Sequence, residues 1–390
     1  MNILFLCKTF PRGESEAIVS GEVKNAYLLA KSLSERGHSI TVWASGDTDE
    51  GFDLGAMKVR RNRVSRLKGA FKTIAENLAD LGRAGLLGQE RFDIVLNHRL
   101  TAPVLLPRRL RKRCGAVYVN TAHGTNWPEI NANRYRNLRG MATFLNGLVQ
   151  LQLDRASYRV SDMVVSVSKF QEKELAEIYH IPQTRIETIR NGVNLDHYRA
   201  ERPPRPTDGT KRVLFVGRMV KKKGLDLILE GAAELRRRRS DIRYDFVVGS
   251  PEYAKIKPHF EGKIVALGLG DICTIHWSVP ETDLPGFYQR ADVFVAPSEG
   301  YESLPTVLLE ALSCGTPVLT TAAWGTREVG LAPEMLLNTR ELPEYCAKLD
   351  HLLNTTYPEE GLRAIVAGID WTTQAAHYEQ LFQKVIAHAK

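Results

Sequence analysis

The run DVFVA, Asp292–Ala296, is continuously apolar and too short for a helix, and Val318–Thr321 repeats that character beyond the turn Cys314-Gly315-Thr316-Pro317. Between them, ESLPTVLLEALS opens as a loop and becomes a helix. Strand, helix and strand in that order make a unit with parallel, buried strands. Open sheets of this kind bind ligands in the crevice at their strand C-termini. Glu302 and Glu310 stand at that position. Their separation slightly exceeds two helical turns, so one carboxylate lies in the loop, the other projects from the helix body, and both can face one ligand.

The same alternation runs through the chain. Strands are expected at Ile3–Cys7, Ser39–Ala44, Ile94–Asn97, Ala116–Asn120, Met163–Val167 and Ile186–Ile189, with a helix from Gly21 to Glu35 that Gly37 caps. The segment ERPPRPTDG, Glu201–Gly209, resists both helix and central strand and reads as a linker. A second set follows, at Val213–Val216, Tyr244–Val248, Cys273–His276, Asp292–Ala296 and Val318–Thr321. The fold class is therefore α/β, with two doubly wound Rossmann-like domains facing a central cleft. The first domain is expected over residues 1–200 and the second over 201–370; the segment from Ile369 onward is helical in pattern.

A chain of 390 residues exceeds what one core usually accommodates. The apolar run in MNILFLCKTF is too short for an export signal, and no stretch is long enough to cross a membrane. Five scattered cysteines without a C-x-x-C pair point to a reduced, cytoplasmic protein with no structural zinc. Residues 1–200 hold 30 Lys and Arg against 20 Asp and Glu, so the net charge of +8 resides in the first half. Its densest basic run is Arg108, Arg109, Arg111, Lys112 and Arg113; Arg60, Arg61, Arg63, Arg66 and Lys68 form a second. Such runs are either solvated helix faces or contacts for an anionic membrane or a phosphorylated acceptor. Asp47-Thr48-Asp49 matches a D-x-D metal motif but lies in a polar loop, so no metal is assigned.

The run PSEGYESLPTVLLEALSCGTPVLTT resembles the glutamate-x7-glutamate signature of retaining GT-B glycosyltransferases of family four. The resemblance implies transfer from a nucleoside diphosphate sugar to a sugar, lipid-linked or small-molecule acceptor, with no other cofactor, and a last helix returning to the first domain. It implies that Glu310 holds the ribose and Glu302 the transferred sugar. By the same resemblance Arg218 and Lys223 in VLFVGRMVKKKG would hold the diphosphate, with Gly217, Ser303, Leu304 and the amides of Thr306 and Val307 completing the donor site. His123, in TAHGTNWPE, matches the family's histidine loop and joins Arg218, Lys223 and Glu302 as a catalytic candidate. Trp127 either stacks on an acceptor ring or packs. Gly21 stands where relatives have a second glycine, although Ser20 replaces the first, and Pro305 stands where glycine is common.

Two other classes compete. The basic first half would suit nucleic acid, but it contains no recognition module and few aromatics among its arginines, so no nucleic-acid partner is expected. A dinucleotide oxidoreductase would need G-x-G-x-x-G, and neither strand–helix opening carries it.

Overall fold

The computed structural model describes residues 1–13, 21–46, 49–63, 90–99, 115–124, 138–201, 208–249 and 253–389. The chain forms two compact units. The first comprises Met1–Arg12, Glu22–Asn191 and Trp371–Lys390; the second comprises Gly13–Gly21 and Gly192–Asp370.

In the first unit, eight strands form one sheet: β1 (Asn2–Cys7), β2 (Ser39–Gly46), β3 (Glu50–Leu54), β4 (Met57–Arg63), β5 (Ile94–Asn97), β6 (Val117–Ala122), β7 (Met163–Ser166) and β8 (Ile186–Thr188). Their order is β3-β4-β2-β1-β5-β6-β7-β8, parallel throughout except for β3 against β4. The β3–β4 hairpin was absent from the strands expected of the sequence. Met57 and Val59 are buried while Lys58 and Arg60 are exposed, so the arginine-rich run contains a period-two strand, which β3 covers at the sheet edge.

Local chemistry punctuates the connections. Gly37 ends the helix Gly21–Glu35 at φ 86°, a left-handed conformation that favours glycine, and its amide bonds the Ser34 carbonyl at 2.9 Å. Ser168 caps the helix Lys169–Glu177, its hydroxyl accepting the Gln171 amide at 3.2 Å. The helix Trp371–Ala389 belongs to this first unit and buries Tyr378, Leu381, Phe382 and Val385. Tyr378 Oη lies 3.3 Å from Thr121 Oγ1 on β6, and Glu379 pairs with Arg36 and His38.

The second unit carries β9 (Lys211–Gly217), β10 (Ile242–Val248), β11 (Cys273–Trp277), β12 (Val293–Ala296), β13 (Val318–Thr321) and β14 (Leu336–Leu337). The six strands are all parallel, in the order β11-β10-β9-β12-β13-β14. Both sheets are therefore doubly wound, and each unit has a Rossmann-like architecture. The second unit begins at Gly192, ahead of the proline-rich segment. Val193 bridges Asp370, and Arg363 donates to the carbonyls of Leu195 and Tyr198 at 2.7 Å each and of Ser313 at 2.6 Å, which ties residues 192–200 to this unit.

Phe382 is fully buried, so Phe382→Ala is expected to cost about 3–5 kcal/mol. Hydrogen exchange resolved by residue should place the loss in β1, β5 and β6 and leave β9–β13 protected as before; equal loss in both sheets would contradict the assignment of this helix.

Candidate functional site

In the second sheet the chain leaves β9 to build β10 and β11, then returns to the other side of β9 as β12. The reversal makes a topological switch point between β9 and β12, where the loops beyond the two strands diverge and leave a crevice. Gly217 closes β9, and Arg218 follows it exposed, without a side-chain hydrogen bond or ion pair among the described residues. Lys221–Lys223 form one 3-10 turn, and Gly224 at φ 74° turns the chain into the helix Leu225–Arg236.

This loop is stitched to the one that follows β12. A Cβ at Gly224 would lie 2.0 Å from the Pro297 carbonyl oxygen, so only glycine permits the approach. The Lys222 carbonyl accepts the amides of Glu299 at 2.7 Å and Gly300 at 3.2 Å. The stitch sets Lys223 Nζ 2.5 Å from Glu302 Oε1, with side-chain exposures of 19% and 15%, so water screens the pair only in part. Ser298 Oγ donates to the same oxygen at 3.1 Å. Among the described residues Glu302 Oε2 has no hydrogen bond, so this oxygen remains an acceptor.

The backbone beyond Glu302 is also held. Its carbonyl accepts the Gly325 amide at 3.1 Å, and a Cβ at Gly325 would fall 1.4 Å from the Ser303 carbonyl oxygen. Ser303 and Leu304 are buried. Pro305 is the N-cap of the helix Thr306–Ser313 and supplies no side-chain cap, so Thr306 and Val307 begin the helix where amides and dipole attract anions. Glu310 is 2% exposed, and Tyr288 Oη donates to its Oε2 at 2.9 Å. Tyr288 lies edge-on to Tyr198 and Phe294; burial, then the Glu310 charge, pushes its hydroxyl pKa up. An ordinary solvated helix acid would not be enclosed in this way.

The first unit has its own constellation. His123 follows β6, and its Nε2 lies 2.7 Å from Nδ1 of His98, the residue after β5. Burial holds both imidazoles down, His123 to about 4 and His98 well below its usual range, so both are neutral near pH 7. Asn97 Nδ2 donates to Asn120 Oδ1 at 2.9 Å, and Asn120 Nδ2 to Ser157 Oγ at 3.0 Å, a polar ladder that joins β5 and β6. Sequence reasoning selected His123 and missed His98 and Tyr288. His98 could have been found as the polar residue that directly follows the strand IVLN; Tyr288 carries no local signal.

Gly21 opens the helix Gly21–Glu35 without a left-handed φ. Trp127 and the run Arg108, Arg109, Arg111, Lys112 and Arg113 lie outside the described residues, as do Asp47 and Thr48. In the second basic run, Arg60 pairs with Glu90 at 2.6 Å and Arg61 with Glu50 at 3.1 Å, so these two charges are spent within the unit. No helix of the described residues is long and apolar enough to cross a membrane.

Comparison with known proteins places this architecture. Residues 199–332 match the family described as glycosyl transferases group 1, and residues 19–197 match glycosyltransferase family 4. The chain belongs to this glycosyltransferase family, and its two-unit fold is GT-B. A D-inositol 3-phosphate glycosyltransferase from Thermobispora bispora is 28% identical over 58% of this chain and 57% of its own length, so the match spans little more than half of that relative. Sucrose-phosphate synthase from Thermosynechococcus elongatus superposes with a TM-score of 0.79 at 18% identity, covering 100% of both chains. Anabaena HepE in complex with UDP-glucose superposes at 0.73 with 15% identity, covering 98% of this chain and 100% of that one.

The half-buried His123 imidazole carries a pH dependence. Because the folded pKa of His123 lies near 4 and the ordinary value is 6.5, unfolding takes up a proton between them. This contribution is full above about pH 6.5 and is lost as pH falls toward 4. Asp154, whose carboxyl burial raises to about 7, acts oppositely over the same range, so the wild-type curve alone mixes both. Against His123→Asn, the wild type is expected to lose on the order of 1–2 kcal/mol more between about pH 7 and pH 5. Parallel pH dependences of stability for the two proteins would refute a neutral His123 in the folded state.

Proposed function

We propose that this protein transfers a sugar from a nucleoside diphosphate sugar to a hydroxyl acceptor with retention of anomeric configuration and without a metal ion. The observation that carries the reading is the Lys223–Glu302 pair at the switch point of the second sheet, with Glu310 anchored in the helix that follows. Departure of a nucleoside diphosphate concentrates negative charge on its bridging oxygen, and Lys223 and Arg218 are the cations that offset it. Thr306 and Val307 offer helix-start amides to the phosphates, Glu310 accepts from the ribose, and Glu302 accepts from a hydroxyl of the transferred sugar.

The reaction breaks the bond between the anomeric carbon and the diphosphate and forms a bond to the acceptor oxygen on the same face. The acceptor's proton passes to the departing phosphate oxygen, so no protein nucleophile is required. The protein supplies alignment and charge. His123 belongs to the sugar side, and Gly21 allows close backbone approach. UDP-glucose, which is bound by HepE, is the first donor to test. A lipid-linked acceptor would suit the basic run at Arg108, Arg109, Arg111, Lys112 and Arg113 and work at the cytoplasmic membrane face, with anionic liposome binding that salt weakens.

The ion pair makes the two glutamates distinguishable. Glu310→Ala should weaken nucleoside diphosphate binding by about 1.5–3 kcal/mol. Glu302→Ala releases Lys223 and should leave nucleoside diphosphate affinity equal or higher while transfer falls at least about tenfold, the equivalent of about 1.4 kcal/mol in the barrier. Calorimetry with UDP and a transfer assay with UDP-glucose separate the two; identical losses in both measurements for both variants would sink the assignment.

Metal independence is tested on its own. Turnover should survive exhaustive chelation, whereas Lys223→Ala and Arg218→Ala should each lower it at least about tenfold. Strict dependence on added divalent cation would overturn the metal-free mechanism.

A further inference from the structure

His98 follows β5, and in the first sheet β5 lies beside β1 where the strand order reverses, so this residue stands at that sheet's own switch point. Its side chain is 1% exposed. The imidazole stacks on Phe5 with centroids 5.6 Å apart and an interplanar angle of 18°, and the Tyr378 ring lies 6.5 Å away. Its two nitrogens differ sharply in surroundings. Nδ1 lies 2.7 Å from His123 Nε2, whereas Nε2 is buried without a hydrogen-bond partner among the described residues.

A neutral imidazole has one N–H and one lone pair. Orphaned buried N–H groups are rarer than orphaned acceptors, so the lone pair of His98 belongs on Nε2 and the hydrogen on Nδ1. His98 then donates to His123 Nε2, which must accept. The hydrogen of a neutral His123 is thereby confined to Nδ1.

We propose that His98 is a positioning residue that fixes His123 in its Nδ1–H tautomer, so that His123 meets its ligand as a hydrogen-bond donor to an oxygen lone pair. The proposal rests on the glycosyl-transfer reading for what that oxygen is, a sugar hydroxyl or a phosphoryl oxygen. The tautomer itself does not depend on that reading. Without His98 the hydrogen of His123 can move to Nε2, and the ring then offers a lone pair where a donor is required.

The test uses the full chain labelled with nitrogen-15, with imidazole nitrogens observed through their long-range couplings to ring protons. His98→Phe keeps the stacked ring and removes the donor; His98→Asn restores an N–H near the position of Nδ1. In wild type near neutral pH, His123 should show a protonated Nδ1 and an unprotonated Nε2. His98→Phe should shift it toward Nε2–H, and His98→Asn should return it. Transfer from UDP-glucose should fall about tenfold in His98→Phe and recover in part in His98→Asn. An Nε2–H His123 in wild type, or a tautomer unchanged by His98→Phe, overturns the proposal. Absence of turnover in wild type with every member of a panel of nucleotide sugars would overturn the transfer reading while the resonances still decide the tautomer.

Discussion

The close approach of Gly224 to the Pro297 carbonyl governs the candidate donor site. Two parallel strands meet at about the spacing of a backbone hydrogen bond, but the loops beyond them need not touch. Here they do, because Gly224 has no side chain and the Lys222 carbonyl binds two successive amides of the other loop. The lysine and the glutamate are thus set by backbone contacts before any ligand arrives. Catalysis by fixed charges requires such preorganisation, since a cation that had to be moved into place would return part of its stabilisation as reorganisation cost.

The candidate constellations of the two units hold their polar groups differently. The second pairs opposite charges, as in Lys223–Glu302, or encloses a carboxylate against a phenol, as in Glu310–Tyr288. The first uses neutral groups, Asn97, Asn120, Ser157, His98 and His123, linked in short hydrogen bonds. An array of neutral donors and acceptors holds geometry with little long-range field, whereas the charged pair acts on an anionic group at a distance.

Much of the fold was legible because buried parallel strands are short, apolar and continuous: Ile94–Asn97 and Val318–Thr321 have the bounds read from the sequence alone. The β3–β4 hairpin was not, because Arg60, Arg61 and Arg63 dominate the composition and conceal the alternation of Met57 and Val59 with charged neighbours. In the candidate site, Glu302, Glu310 and Lys223 were visible through motif spacing. Their partners Ser298 and Tyr288 were not singled out, since a contact between residues distant in sequence leaves no periodic trace. His98 was hidden for the same reason: its meaning comes from His123, 25 positions away.

The helix Trp371–Ala389 makes the first unit discontinuous along the chain. A ribosome delivers β1–β8 early, yet the side chains of Tyr378, Leu381, Phe382 and Val385 that close this core come from the last residues described. The second unit, apart from Gly13–Gly21, is contiguous and complete in the nascent chain before that helix emerges. The unit made first is therefore finished last, and throughout synthesis of the second the apolar surface that this helix closes is left without it.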